Sequence, residues 1–66
     1  MYVRTNEFEG AHGKKPRGYG TWAFWLGSDT SDIGKAHFII GMYSDAAKQA
    51  KAMARERGFR CVTVGS

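Results

Sequence analysis

The chain has 66 residues, room for one small core and too few for a second domain, because apolar burial must offset the entropy of ordering the backbone. An apolar fraction of 42% with 14% aromatic residues excludes a disordered chain, no apolar run approaches the ~20 residues of a membrane helix, and Met1-Tyr2-Val3-Arg4-Thr5-Asn6 lacks the apolar stretch of a secretory leader. The net charge of +4 is unevenly placed: Arg4, Lys14, Lys15 and Arg17 face Glu7 and Glu9 early in the chain, Lys35 is outnumbered by Asp29, Asp32 and Asp45 in the middle, and Lys48, Lys51, Arg55, Arg57 and Arg60 face only Glu56 towards the end.

These bounds predict one cytoplasmic domain, residues 1–66, with no membrane contact and an anionic partner on one side. Tyr2 to Phe8 shows mixed alternation and reads as an edge strand. Gly10 to Gly20 holds four glycines and Pro16 in eleven residues, which predicts a loop without a regular element. Its Lys14, Lys15 and Arg17 ride on a backbone able to follow a phosphate chain, although a merely soluble connection has the same composition. From Thr21 to Gly27, Trp22, Phe24 and Leu26 alternate with Thr21, Ala23 and Trp25, the pattern of a half-buried strand. Ala36 to Tyr43 repeats it, with Phe38, Ile40 and Met42 set against His37, Ile39, Gly41 and Tyr43. Joined by a polar loop from Gly27 to Lys35, the two strands predict an antiparallel hairpin. Its core face is expected to hold Trp22, Phe24, Leu26, Phe38, Ile40 and Met42. The opposite face would then display Trp25, His37, Ile39 and Tyr43, more apolar surface than a monomer usually leaves in water.

A helix is expected from a Ser44 or Asp45 cap to Gly58, with Ala46, Ala47, Ala50, Met53 and Ala54 as its buried stripe. Short side chains there let the helix approach the sheet closely. Lys48, Gln49, Lys51, Arg55 and Glu56 fall on the outer side, where they serve equally as an anion-binding or a solvated face. Phe59 to Val64 closes the chain as a last strand, in which the lone Cys61 is a small buried residue with no disulfide partner. The expected fold class is α+β, a small antiparallel sheet of three to four strands packed against one helix in the order β-β-β-α-β.

Little chemistry is written in the chain. His12, His37 and Cys61 match no metal-ligand spacing, and Asp29-Thr30-Ser31-Asp32-Ile33-Gly34 lacks the further carboxylates of a calcium loop. Gly18-Tyr19-Gly20 precedes a strand instead of opening a helix, the wrong setting for a phosphate loop. No metal, cofactor or catalytic group is expected, and the chain does not read as an enzyme.

The run Arg17-Gly18-Tyr19-Gly20-Thr21-Trp22-Ala23-Phe24, then Phe38-Ile39-Ile40-Gly41-Met42-Tyr43-Ser44-Asp45-Ala46 and an alanine-rich helix, resembles the DNA-binding domain of the Apetala and ethylene-response-factor type, also found in phage and mobile-element endonucleases. Tyr19, Gly20 and Trp22 stand where that family has a Trp-Gly-x-Trp step, and Gly41 and Tyr43 where it has a Gly-x-aromatic step before its helix. Ala23 and Trp25 stand where the family carries charged residues that touch DNA. The resemblance implies a sheet that enters the major groove of DNA. With the charge pattern it gives the first functional reading: a nucleic-acid module, for DNA before RNA, in which Lys14, Lys15 and Arg17 hold phosphates and Arg4, Trp25, His37 and Tyr43 form the sheet-side surface. The alternative is a protein-binding module, such as a phage or mobile-element inhibitor of a host defence complex, with Trp25, Ile39 and Tyr43 as the interface. A second copy of the chain is a further candidate for that face.

Overall fold

The strand with the clearest alternation lies at the centre of the fold. The computed structural model describes residues 1–65 and runs β1 (Tyr2–Arg4), α1 (Asn6–His12), β2 (Tyr19–Leu26), a 3-10 turn (Ile33–Lys35), β3 (His37–Met42), α2 (Tyr43–Glu56) and β4 (Cys61–Val64). The strands form one sheet in the order β1-β4-β2-β3, in which β2 is antiparallel to both neighbours and β1 is parallel to β4. The expected α+β class, a sheet of three to four strands with a helix packed on it, is the one observed, with four strands and a second helix; the sheet is mixed and not the wholly antiparallel one expected, because β1 enters beside β4 in the same direction.

That second helix, α1, occupies residues expected to finish a strand and begin a loop. Glu7 and Glu9 sit in its first turn and His12 in its last, the charge order its dipole favours. Phe8 supplies the reason it forms: its ring is buried against Trp22 at 5.6 Å and stacked on His12 at 4.2 Å. Tertiary packing thus overrides the low helix propensity of Gly10. Only the segment between Gly13 and Gly18 remains of the long expected loop.

Both helices lie on one face of the sheet, over a core of Phe8, Trp22, Phe24, Val62 and Val64 with Ala46, Ala47, Ala50 and Ala54 from α2; Val3, Leu26, Ile39 and Tyr43 pack around it. The alanine stripe brings α2 close to the sheet as its spacing requires, and Met53 is half-buried at its margin. The start of α2 differs from the expected cap. β3 runs into the helix without a linker, Met42 occupies the capping position, and Ser44 and Asp45 lie inside the first turn. Its end is as expected: Gly58 takes a left-handed φ of 81°, while its N–H donates to Arg55 O and that of Phe59 to Ala54 O at 2.9 Å, the pair of hydrogen bonds that closes a helix ending in glycine.

The expected core is half right. Trp22 and Phe24 are buried and Leu26 is half-buried, but Phe38, Ile40 and Met42 are exposed, and Ile39 packs inward in their place. Both rows of β3 are apolar, so its alternation carries no phase of its own. Pairing decides it, because cross-strand partners share a face and Ile39 is opposite Trp22.

Candidate functional site

The β2–β3 register builds the sheet face turned away from the helices. Tyr19–Met42, Thr21–Ile40 and Ala23–Phe38 stand together on it, while Trp22–Ile39 and Phe24–His37 point to the helix side. Nothing among the described residues lies over the first set: Tyr19 is 75% exposed, Ile40 70%, Phe38 62% and Met42 47%. Two rings and two aliphatic side chains therefore make a bare apolar strip.

Trp25 belongs to the same face by alternation but is 8% exposed. Its indole lies against Gly65, where any Cβ would run into the ring, and its Nε1–H donates to Asp32 O at 3.0 Å. The loop from Gly27 to Ala36 is held over this half of the face by its own polar bonds. Thr63 Oγ1–H donates to Gly27 O at 2.8 Å, Asp29 Oδ1 accepts from both the hydroxyl and the N–H of Ser31, and Asp32 Oδ1 accepts from Gly34 N–H. The Ser31 hydroxyl, then its N–H, hold the Asp29 carboxyl below its ordinary pKa. Both aspartates are thus turn-forming residues.

The remaining expected contacts divide. Tyr43 opens α2 on the helix side, its ring 5.0 Å from Trp22 and 6.3 Å from Phe24, and burial raises its phenol pKa. His37 is half-buried opposite Phe24 and also points to the helix side. Neither shares a surface with Trp25, so the expected set of Trp25, His37, Ile39 and Tyr43 is not one face. Arg4 is half-buried on β1 opposite Thr63, which in turn pairs with Trp25, so it lies on the same face as the bare strip but at the opposite edge of the sheet, beyond β4.

Lys14, Lys15 and Arg17 are all exposed, and the loop that bears them is anchored. Pro16 is buried between them, and Gly18 O accepts from Tyr43 N–H at 2.8 Å. The cations consequently project from a fixed base, and the chain passes from Arg17 to Tyr19, the first residue of the bare strip, across Gly18 alone. A second group of cations, Lys48, Lys51 and Arg55, lines a shallow depression beside Met1 on the outer side of α2, remote from this strip. A cleft of about 430 Å³ at the other end of the sheet has mixed walls, including Asp32, Lys35, His37, Arg57 and Phe59.

Sequence reasoning missed Tyr19, Phe38, Ile40 and Met42 as surface residues. The usable signal was Gly18-Tyr19-Gly20: continuing the β2 alternation backwards places Tyr19 with Thr21 and Ala23, outside the core row of Trp22 and Phe24. Among the described residues, no three His, Cys, Asp or Glu side chains gather as a metal site, and no helix is long and apolar enough to cross a membrane. Compared with protein-family models, curated proteins and solved structures, the chain matches none of them.

Proposed function

We propose that this chain is a small nucleic-acid-binding module, for DNA before RNA, whose working surface is the bare half of the sheet and the basic loop beside it. The observation that carries this reading is the continuity of Lys14, Lys15 and Arg17 with a sheet face on which Tyr19 and Phe38 stand in solvent. Cations on an anchored loop suit phosphates, and exposed rings on a flat sheet suit the faces of unpaired bases, each stack contributing about 1–3 kcal/mol. The Apetala-type resemblance of residues 17–54, which also presents a sheet to DNA, supports the same side of the molecule. The role is binding, with no residue assigned to catalysis.

Fluorescence titration of labelled single-stranded and duplex DNA and RNA tests it. Phe38→Ala and Tyr19→Ala should each weaken single-strand binding about tenfold, in line with one lost stack, without lowering thermal stability. Absence of binding to every nucleic acid at low salt would remove this reading. The aliphatic share of the strip, Ile40 and Met42, would then favour the alternative, a protein-binding module of the host-defence-inhibitor kind.

A further inference from the structure

The two edges of the sheet are built differently. β1 has three residues and carries Arg4, a short charged edge of the kind that discourages further pairing. β3 has six residues, His37-Phe38-Ile39-Ile40-Gly41-Met42, with no lysine, carboxylate or proline among them.

The backbone groups left free on β3 follow from the hydrogen bonds around it. Gly65 N–H donates to Ala23 O at 2.9 Å and Gly27 N–H donates to Cys61 O at 2.7 Å, so the odd-numbered residues of β2 turn their backbone groups towards β4. The even-numbered ones, including Trp22 and Phe24, turn theirs towards β3 and meet Ile39 and His37. Tyr43 N–H donating to Gly18 O at 2.8 Å continues the same phase. The N–H and C=O of Phe38 and Ile40 and the N–H of Met42 therefore point away from the sheet, on residues whose side chains are also exposed, while the Met42 carbonyl, at the capping position of α2, already accepts the first bond of the helix.

We propose that this edge pairs with β3 of a second copy of the chain, antiparallel, about a two-fold axis through Ile40. The register is self-complementary. Ile40 opposes Ile40 of the second copy and exchanges both backbone hydrogen bonds with it, and Phe38 opposes Met42 in both directions, with Met42 N–H donating to Phe38 O. The opposed side chains lie on the bare face, so each apolar strip borders the other. The product is a continuous eight-stranded sheet, twice the four strands of one chain, with both bare strips on one side. This pairing stands whatever that side binds.

Sedimentation equilibrium over micromolar to millimolar concentration tests it on the full chain. The parent should pass from monomer to dimer. Ile40→Lys, which sets two like charges against each other at the axis, should remain monomeric with unchanged melting at low concentration. Ile40→Pro should do the same, because that N–H has no partner within the monomer. Ile40→Cys should oxidise to a covalent dimer, its Cα atoms about 5.5 Å apart across the axis, whereas Thr21→Cys on the same face should not. A parent that stays monomeric at millimolar concentration, or an Ile40→Lys variant that dimerises like the parent, overturns the proposal. Should Ile40→Pro fail to fold, the lysine and cysteine variants decide the matter.

Discussion

Tyr43 shows how much one side chain can depend on the phase of a strand. As the last residue of the expected strand it would have faced away from the core; in the observed register it follows His37 and Ile39 to the helix side, where as the first residue of α2 it sits beside Trp22 and Phe24, and burial favours its neutral phenol. A pKa raised in the folded state means that the associated stability is fully present below the ordinary value of 10.0 and is lost as pH rises through the folded value. Tyr43→Phe removes that titration. Thermal melts from neutral to strongly alkaline pH should therefore show the parent losing more stability above pH 10 than the variant does, and parallel curves would show that the phenol gains nothing from its site. Trp25 is the converse case, an indole that looked like a display residue and became a structural one. Gly65 makes that possible, since the ring occupies the space of its missing side chain. Gly65→Ala should displace the indole from its bond to Asp32 O, read as a red-shifted tryptophan emission.

At the scale of elements, α2 and β3 make opposite demands on their residues. Ala50 is wholly buried where α2 meets the sheet, so Ala50→Leu should overpack the interface and cost ~1–3 kcal/mol in denaturant unfolding. On β3 the adjacent isoleucines separate the two possible phases. Ile39→Ala should cost ~1–2 kcal/mol, less than a fully buried truncation because the residue is half-buried, whereas Ile40→Ala should stay within about 0.5 kcal/mol. Equal costs would contradict the register that pairs Ile39 with Trp22. This contrast also marks what could be read from the sequence. β2 and the alanine stripe of α2 were legible because each has a one-sided pattern, and β4 because the β-branched Val62, Thr63 and Val64 follow the apolar Cys61. The phase of β3 was not, because it is apolar on both sides and takes its orientation from pairing. Nor was α1, whose formation rests on Phe8 meeting Trp22 across the fold. The site was legible in its cations and illegible in its surface: Lys14, Lys15 and Arg17 are exposed as expected, while the apolar residues beside them are Tyr19, Phe38, Ile40 and Met42.

Over the whole molecule the positive charge is divided between two places, and only one of them borders the bare strip. Lys14, Lys15 and Arg17 project from the anchored loop at its start, while Lys48, Lys51 and Arg55 line the depression on the outer side of α2. Both triplets raise the general attraction for a polyanion, but a single bound strand on the sheet face meets only the first at contact distance. Each phosphate contact contributes a slope of about −0.9 in log affinity against log salt on duplex DNA and about −0.7 on single strands. Replacing Lys14, Lys15 and Arg17 together by alanine should therefore flatten the single-strand slope by up to about 2 units. Replacing Lys48, Lys51 and Arg55 should leave both affinity and slope nearly unchanged at physiological ionic strength and above, because distant charges act through a field that salt already screens there. Neither triplet contributes a core residue, so melting temperatures should hold in both variants. The reverse result, a flattened slope for the α2 triplet and none for the loop, would move the nucleic acid to the helix side and leave the bare strip free for a protein.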